Sequence, residues 1–400
     1  MLRFYDFFAG AGLATMGLGH AWECVWANDI DLNKGRVYQA NFGPGHFHPG
    51  DVAGYAAADL PGGAHLSWAS FPCQDLSLAG WREGISAERS GAFWAFWKIM
   101  CGQHQHGERP PVIVIENVPG LLYGDSFAGL CEALAAIEMQ FGALVVDARR
   151  FVPQSRPRIF IVAVDAHVDC SSLAGSEPVA EWTPQSLSNA QAGLDGNLRK
   201  LWRWWQLPVP ETSRVPLTRI IETVPTGVEW HTREQTQRLL SLMSDTNRAK
   251  VTDRQSDRQS HIGFLYKRIR NGVQRAEVRF DGLSGCLRTP RGGSSRQTVV
   301  LVEDGVVRTR LLSPREAARL MGVPDTFQLP ENYNDAYEAM GDAVVAPVVR
   351  WLSENLLEPL ARLAQPKPQG KTTAQAHRLM RNAEQRASAW TLEHKRLASS

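Results

Sequence analysis

The sequence predicts an α/β fold: a doubly wound domain, interrupted by a smaller, irregular unit. Three observations predict it. The first 165 residues alternate short apolar runs with longer helical patterns, as in a chain that passes repeatedly between strand and helix. The apolar runs are continuous rather than alternating in polarity, as expected of strands buried on both faces of a parallel sheet. From about residue 166 to 310 this pattern breaks, and helical order returns only at residue 311.

The first domain, residues 1–165, contains predicted strands separated by predicted helices. The apolar runs are "RFYDFF", "CVWAND", "HLSWASF", "PVIVIENV", "ALVVDARRF" and "RIFIVAVD". The helical stretches cover residues 13–20, 33–41, 89–101 and 127–139, and the last of these has one apolar stripe. This order of elements is typical of a doubly wound α/β domain.

Three segments follow the first domain. In residues 166–310, Pro, Ser, Thr and Gly are scattered among isolated aromatic residues, and we expect little regular structure there. Residues 311–365 return to the first domain with two helices, the first of which begins with a capping box formed by Ser313 and Glu316. The polar, basic residues 366–400 are expected to be a flexible tail.

Composition excludes several classes of protein. No stretch approaches the roughly 18 unbroken apolar residues of a membrane span, and no signal peptide is evident, so we expect a cytoplasmic protein. The six cysteines form no CxxC pair and have no neighbouring His at ligand spacing, which indicates neither a disulfide framework nor a zinc site. The net charge is only +2, but residues 248–296 hold 12 Lys/Arg against 4 Asp/Glu. That segment suits a phosphate backbone, or else its arginines pair with acids elsewhere in the fold.

A glycine-rich turn, "FFAGAGLATMG", joins the first strand to the first helix. Gly10 and Gly12 would let the backbone approach a ligand at the helix N-terminus, although Thr15 replaces the third glycine of a dinucleotide fingerprint and a turn without a ligand would use the same residues. Asp29 lies 17 positions after Gly12, near the spacing at which a carboxylate meets ribose hydroxyls. Together these residues indicate an adenosine-containing ligand. Asp51 would accept a hydrogen bond from its adenine amino group, or cap a helix.

Cys73 follows the fourth strand, at the carboxyl edge where open α/β sheets bind ligands. Pro72 sets a rigid turn beside it. A buried structural cysteine is the usual alternative, but a turn rich in polar residues is poorly suited to packing. We therefore predict a nucleophile, whose thiolate must be favoured by nearby positive charge or by a helix dipole.

Polar residues also lie at the ends of the last strands. Glu116 follows four apolar residues, where a carboxylate is costly to bury unless it has a partner or is protonated; the alternative is a solvated strand end. A buried carboxyl with a raised pKa could donate a hydrogen bond at neutral pH. Gln154, Arg156 and Arg158 alternate into the final strand, which would put both arginines on one face, able to hold the acceptor oxygen of a heterocycle.

In this order, these residues resemble the bacterial DNA (cytosine-5) methyltransferase family of restriction-modification systems. The resemblance covers residues 3–165 and 311–358. "FAGAG" is similar to the family's cofactor loop, "NDID" to its ribose-contacting acid, "PCQ" to its nucleophile motif, "ENV" to its glutamate motif and "QSRPR" to its Gln-x-Arg-x-Arg motif. "SPREAARLMGVPDTF" and "AMGDAVVAPVV" are similar to the two C-terminal motifs. The fold implied is a Rossmann-like S-adenosylmethionine-dependent methyltransferase domain with a smaller, irregular target-recognition domain at residues 166–310.

The resemblance also implies the reaction and the residues that perform it. Cys73 would attack carbon 6 of a cytosine flipped out of double-stranded DNA, and carbon 5 would take the methyl group of S-adenosyl-L-methionine, leaving S-adenosyl-L-homocysteine. Glu116 would hold the ring nitrogen and exocyclic amine, Arg158 the carbonyl oxygen, and Arg156 the loop. The implied cofactor contacts are Phe8, Gly10, Gly12, Asp29, Ile30, Asp51, Val52, Pro72, Asp342, Ala343 and Val344. The implied DNA contacts are Gln74, Ser77, Gln154, Arg288, Thr289 and Arg291.

Two positions depart from the family pattern. Asp342 stands where Asn is usual, and it would lie near the sulfonium and amino-acid end of the cofactor or else hold the catalytic loop. Ile30 replaces an aromatic residue that often stacks on adenine. The residues after Cys73, "QDLSLAGWREG", would form a mobile loop that closes over the flipped base.

Three alternatives remain. A tRNA methyltransferase would use the same chemistry, and a catalytically silent DNA-binding protein would use the pocket only for recognition. A dinucleotide oxidoreductase would leave Cys73 and the two arginines without a role. We expect a monomer, which would be the protective half of a restriction-modification system where a restriction endonuclease accompanies it.

Overall fold

The structure is a computed structural model that describes residues 1–72, 91–211, 215–256, 259–270, 272–289 and 296–364. The strands of its largest sheet are β1 (Leu2–Phe7), β2 (Trp22–Asp29), β3 (Phe47–Pro49), β4 (Leu66–Ala69), β5 (Val112–Asn117), β6 (Met139–Asp147) and β7 (Pro157–Asp165). Their order is β3-β2-β1-β4-β5-β7-β6. All neighbours are parallel except β7, which runs antiparallel to both β5 and β6. The predicted α/β class is confirmed.

Helices connect these strands close to where the sequence predicts them. They are α1 (Leu13–Leu18), α2 (Leu32–Phe42), α3 (Gly91–His106) and α4 (Ser126–Ala136). α2 shows why its ends lie where they do: the Asp31 carboxylate caps it by accepting from the N–H groups of Asn33 and Lys34, and Gly43 follows it with φ of 86°. Among the described residues, no helix combines the length and apolar character needed to cross a membrane.

The large sheet is buried on both faces, which explains the continuous apolar runs. Alternate residues of β5 enter different cores: Val112 and Val114 face one, and Ile113 and Ile115 face the other. The second core is completed by α3 and α4, and the first by α1 and by helices from the C-terminal part of the chain. The polar residues at the strand ends therefore lie at the rim of a rigid, fully covered sheet.

The prediction of little regular structure in residues 166–310 is wrong. The helices there are α5 (Gln185–Ala192), α6 (Gly196–Leu201), α7 (Leu217–Ile220), α8 (Arg233–Ser241) and α9 (Asp245–Ser256). The strands are β8 (Ala174–Gly175), β9 (Trp204–Trp205), β10 (His261–Arg270), β11 (Val273–Arg279), β12 (Thr298–Glu303) and β13 (Val306–Leu311). The last four form an antiparallel sheet in the order β11-β10-β12-β13. β11 alternates the buried Ala276 and Val278 with charged residues because one of its faces is buried. In β10 the consecutive residues Phe264 and Leu265 are both 0% exposed and join different cores.

The cores place the smaller unit later in the chain than the sequence predicts. Its own core comprises Met243, Val251, Leu265, Ala276, Val278, Val300 and Val302. Residues earlier in the segment, such as Trp182 and Trp202, instead join the cores of the large sheet. β13 also crosses the expected boundary between residues 310 and 311. Because the residues before α8 pack in the cores of the large sheet, the smaller unit begins near the start of α8.

The chain then returns to the large sheet through α10 (Pro314–Leu320), α11 (Tyr333–Gly341), α12 (Ala346–Leu352) and α13 (Glu358–Leu363). The predicted capping box is confirmed: Ser313 Oγ accepts from the Glu316 N–H at 3.1 Å, and Glu316 accepts from the Ser313 N–H at 2.8 Å. Glu316 also receives two hydrogen bonds, of 2.6 and 2.7 Å, from Arg310, and both side chains are 0% exposed. This ion pair fastens β13 to α10 where the smaller unit joins the larger one.

Candidate active site

The glycine-rich turn after β1 has an unusual backbone. Phe8, Gly10 and Gly12 all have positive φ, at 59°, 56° and 83°. A Cβ on Gly12 would lie 2.4 Å from Phe42 Cε2, so this glycine is required by close packing on α2. A Cβ on Gly10 would meet only one described atom within 4 Å, Lys34 Cδ at 4.0 Å. The backbone at Gly10 thus borders open space, as a ligand at this turn requires.

Asp29, the last residue of β2, is bonded directly to this turn. Its carboxylate accepts from the N–H of Gly10 at 2.7 Å and from the N–H of Asp31 at 2.8 Å. Burial raises the pKa of Asp29, an effect that these N–H donors and the Lys34 ammonium oppose. Each carboxylate oxygen keeps a second lone pair that could accept from a sugar hydroxyl.

Ile30 and Asp51 flank the same edge of the sheet. Ile30 is 66% exposed, so an apolar surface is available beside Asp29. Asp51 accepts from the N–H of Ala53 at 2.9 Å and caps a short 3₁₀ turn, in agreement with the predicted alternative that it caps a helix. Its other carboxylate oxygen could still accept from a ligand. Val52, next to Asp51, is buried, with 3% of its surface exposed. The edge as a whole fits a nucleoside: an open glycine turn, a sugar acceptor and an exposed apolar side chain.

The loop between α11 and α12 brings Asp342 and Ala343 to this region. Asp342 accepts from Lys34 Nζ at 2.6 Å, which ties the loop to α2. Although burial alone lowers the pKa of Lys34, the Asp342 carboxylate raises it above the usual value. Val344 is 4% exposed and packs in the core. Asp342 therefore lies beside Lys34, whose stem borders the Gly10 backbone.

Glu116 and Arg158 meet at the carboxyl end of β5. β7 pairs with β5 so that Asn117 lies opposite Ile159, and this register puts Arg158 beside Glu116. Arg158 Nε lies 3.2 Å from Glu116 Oε1, and their side chains are 16% and 8% exposed. Burial raises the pKa of Glu116, against the opposing effects of the Arg158 and Arg156 guanidinium groups and a hydrogen bond with Ser70. A carboxyl in this setting can act as a hydrogen-bond donor closer to neutral pH than an ordinary glutamate.

Asn117 links this pair to the segment that leads into Cys73. Its side-chain amide donates to the carbonyl of Phe71 at 3.3 Å and accepts from the N–H of Val118 at 2.9 Å. Phe71 is 4% exposed, whereas Pro72 after it is exposed. Cys73, Gln74 and Ser77, and the predicted mobile loop, lie outside the described residues. The structure therefore fixes the approach to Cys73 beside Glu116, on adjacent strands.

Arg156 and Gln154 precede the first residue of β7, and their side chains bond inside the protein, although the Arg156 guanidinium still lies close enough to lower the pKa of Glu116. Arg156 is 1% exposed and donates to the carbonyls of Leu287, Gly341 and Ala343 at 2.7, 2.8 and 2.8 Å. It holds two loops together, which agrees with a supporting role.

The prediction that Gln154 contacts DNA needs correction. Its side chain is 0% exposed, donates to the carbonyl of Leu320 at 2.9 Å and accepts from the N–H of Leu287 at 3.0 Å. The amide is thus used inside the protein, where it fastens the loop of Leu287 to the end of α10. The DNA contact that the resemblance implied for Gln154 therefore does not agree with its full burial.

A second thiol, Cys286, lies near the Glu116 and Arg158 pair. It accepts from Arg156 at 3.2 Å. Burial alone would raise the pKa of the Cys286 thiol, but the guanidinium groups of Arg156, Arg158 and Arg288 lower it below the usual value. No sequence motif singles out Cys286, because its neighbours come from distant parts of the chain. Because nearby guanidinium groups favour a thiolate, Cys286 is a second candidate nucleophile besides Cys73.

Two of the predicted DNA contacts follow Cys286. Arg288 is exposed and Thr289 half-buried, and their backbone packs against Gly341, where a Cβ would lie 3.0 Å from the Arg288 carbonyl carbon. This places an exposed cation next to the loop of Asp342. Arg291 lies outside the described residues.

The sequence and fold of this chain match known proteins over most of its length. Residues 2–358 match the family described as C-5 cytosine-specific DNA methylase. The chain is 28% identical over 374 residues to the Type II methyltransferase M.NlaX of Neisseria lactamica, covering 92% of this chain and 100% of that protein. It is 27% identical over 383 residues to the Type II methyltransferase M.HpaII of Haemophilus parainfluenzae, covering 90% of each.

Solved structures share the fold at lower identity. The S. pombe Dnmt2 methyltransferase aligns with a TM-score of 0.54 at 17% identity, over 90% of this chain and 99% of that one. A putative DNA modification methyltransferase encoded within a prophage of E. coli aligns with a TM-score of 0.53 at 19% identity, again over 90% and 99%. These likenesses support the Rossmann-like fold.

Proposed function

Since the chain belongs to the C-5 cytosine-specific DNA methylase family, we propose that it transfers a methyl group from S-adenosyl-L-methionine to carbon 5 of a flipped-out cytosine in a specific DNA sequence. The observation that carries this proposal is the pair of buried Glu116 and partly buried Arg158, 3.2 Å apart, at the sheet edge where Cys73 follows β4. A carboxyl, a guanidinium and a thiol at one edge are the groups needed to activate a pyrimidine ring.

Cys73 is the proposed nucleophile. Its sulfur attacks carbon 6 of the cytosine, and the electron pair of the 5,6 double bond moves onto carbon 5 and the ring. Asn117 supports this role by holding the carbonyl of Phe71, so that the segment before Cys73 cannot drift from β5. The Arg158 and Arg156 guanidinium groups near this edge favour a thiolate over a thiol.

Glu116 and Arg158 stabilise the charge that the attack creates. The Glu116 carboxyl donates to ring nitrogen 3, which gains electron density, and Arg158 holds the carbonyl oxygen. The raised pKa of Glu116 supports the donor role, because a protonated carboxyl is what nitrogen 3 requires. After methyl transfer, loss of the carbon 5 proton to a base restores the double bond and releases the thiolate. We assign no residue to that base.

Phe8, Gly10, Asp29 and Ile30, with the loop of Asp342, are the proposed cofactor site. The glycine turn is open at Gly10, Asp29 is free to accept from ribose hydroxyls, and Ile30 offers an exposed aliphatic surface to adenine in place of an aromatic ring. When bound, S-adenosyl-L-methionine supplies an electrophilic methyl group. The role of the protein is to orient that group toward carbon 5 and to keep water from the site.

The unit that begins near the start of α8 and contains β10 to β13 is the proposed target-recognition domain, and the large sheet with the helices packed on it is the proposed catalytic domain. Arg288 is exposed beside the active site and would contact a base or phosphate. The smaller unit carries the basic segment that suits the DNA backbone. We propose that the enzyme acts on DNA in the cytoplasm as a monomer, paired with a restriction endonuclease where its host carries one.

The test is transfer of tritiated methyl groups by the purified protein to duplex plasmid DNA and, separately, to total tRNA. Incorporation into DNA that is absent with Cys73→Ala supports the proposal. Incorporation into tRNA alone would establish the RNA alternative. Retained sequence-specific DNA binding without incorporation into either would establish the catalytically silent binder.

A further inference from the structure

The ion pair between Lys34 and Asp342 joins residues far apart in the sequence. Lys34 Nζ lies 2.6 Å from Asp342 Oδ2, and the side chains are 18% and 48% exposed. Within the described part of the chain, no other residue donates a hydrogen bond to the Asp342 carboxylate. One cation and one anion therefore join α2 to the loop before α12.

The pair borders the open side of the glycine turn. Lys34 Cδ would be the only described atom within 4 Å of a Cβ on Gly10, at 4.0 Å. The Lys34 ammonium is also attracted to Asp29, whose carboxylate accepts from the Gly10 N–H at 2.7 Å. The two charges therefore lie beside the face of the turn that the proposed function assigns to the cofactor.

The pair is not needed to fasten α2 to the C-terminal segment, because other hydrogen bonds already do so. The Asn33 amide donates to Asp335 at 3.4 Å. Asn41 donates to the carbonyl of Gln328 at 3.0 Å and accepts from its N–H at 2.8 Å. A half-exposed ion pair adds little to stability, since water and salt screen it and two long side chains must be ordered. A partly exposed cation and anion beside a ligand face suit ligand recognition better.

We propose that Lys34 and Asp342 bind the zwitterionic amino-acid end of S-adenosyl-L-methionine. Lys34 binds the carboxylate of the ligand, and Asp342 binds the ammonium group of the ligand. This inference rests on the proposed function. The zwitterion carries one charge of each sign, so it can insert between the paired side chains and give each a new partner without leaving a charge unpaired. The carboxylate of Asp342 selects for an ammonium more strongly than an amide would, because its hydrogen bond is charge-assisted.

The test compares two ligands by isothermal titration calorimetry with the full chain. S-adenosyl-L-homocysteine has the amino-acid end, and 5′-methylthioadenosine has the same nucleoside and sulfur without it. Lys34→Met should weaken binding of the first about 10-fold or more and change the second less than about 2-fold. Asp342→Asn should show the same selectivity with a smaller loss, because an amide oxygen still accepts. Arg36→Met removes an exposed cation from the same helix and is the matched control, expected to change neither.

Three results overturn the inference. Equal weakening of both ligands by Lys34→Met would show that Lys34 supports the nucleoside site or the fold, and no weakening of either would show that it contacts no ligand. If the unmodified protein bound neither ligand, the cofactor assignment would fail and this inference with it. Selective loss of S-adenosyl-L-homocysteine binding in a protein that methylates no DNA would reject the proposed substrate and leave the inference standing.

Discussion

Replacing Glu116 with Gln tests whether a buried carboxyl group stabilises the reacting ring. The change keeps the size of the side chain and removes its charge and its acidic proton. Glu116 is 6% exposed and has Arg158 Nε 3.2 Å away, so the group acts in a site largely shielded from water. Loss of one such electrostatic group costs about 2.7–4 kcal/mol in the transition state, or about 10²–10³-fold in kcat. Arg158 should stay in place, because it also donates to the carbonyl of Pro157 at 2.8 Å.

The assay is steady-state transfer of tritiated methyl groups to DNA, with the affinity for S-adenosyl-L-homocysteine measured separately. Glu116 lies on β5 and Asp29 on β2, with two strands between them, so we expect the cofactor affinity to change by less than about 2-fold. Glu23→Gln, an exposed glutamate on β2, is the matched control and should leave kcat unchanged. A kcat within about 3-fold of the unmodified protein, or a loss of cofactor affinity as large as the loss of kcat, would refute the assignment.

Four further substitutions test the fold and the glycine turn. Arg310→Met should lower the free energy of unfolding in urea by about 3–5 kcal/mol, because the buried Glu316 carboxylate loses its cation; a loss below about 1 kcal/mol would contradict the predicted burial cost. Burial raises the pKa of Asp6 to about 7, so the folded protein holds this proton more tightly than the unfolded chain. The free energy of unfolding should therefore fall as pH rises from about 4 to about 7. Asp6→Asn should flatten this pH dependence, measured by urea titrations at several pH values. An equal pH dependence in the variant and the unmodified protein would argue against a raised pKa of Asp6. Gly10→Ala should weaken S-adenosyl-L-homocysteine binding and lose only the roughly 1–2 kcal/mol of a positive φ, whereas Gly12→Ala should lose more stability, since its Cβ would also lie 2.4 Å from an aromatic carbon of α2. Both positions have positive φ, so an alanine strains the backbone to a similar degree at each. A larger loss of stability with Gly10→Ala and a larger loss of binding with Gly12→Ala would be inconsistent with an open ligand face at Gly10.

Features that depend on local pattern could be predicted from the sequence. Continuous apolar runs predicted the doubly covered sheet, and the polar residues that end those runs, Asp29 and Glu116, lie at its carboxyl edge. The capping box of Ser313 and Glu316 has the predicted geometry because it involves only four consecutive residues. The smaller sheet was missed although β10 and β12 contain the apolar runs "IGFLY" and "TVVLV", because polar and basic residues dominate the segment around them. An Asn-Gly dipeptide at residues 271–272, between alternating runs, was the signal for its hairpin.

Features that depend on long-range proximity could not be predicted. Arg158 reaches Glu116 because β7 inserts between β5 and β6 in the opposite direction, which strand patterns alone do not reveal. Lys34 meets Asp342 across 308 positions, and the lowered pKa of Cys286 arises from arginines in separate segments. No local motif marks the Lys34 and Asp342 contact or the surroundings of Cys286, because both depend on how distant segments of the chain meet in the fold.

The most direct test of the central claim is bisulfite sequencing of plasmid DNA from a methylation-deficient host. The host would express the unmodified protein, Cys73→Ala or Cys286→Ser. We predict protected cytosines in one short recurring sequence with the unmodified protein and with Cys286→Ser, and no protection with Cys73→Ala. Protection that persists in Cys73→Ala and disappears in Cys286→Ser would contradict the account, because the thiol beside Arg156 would then be the nucleophile.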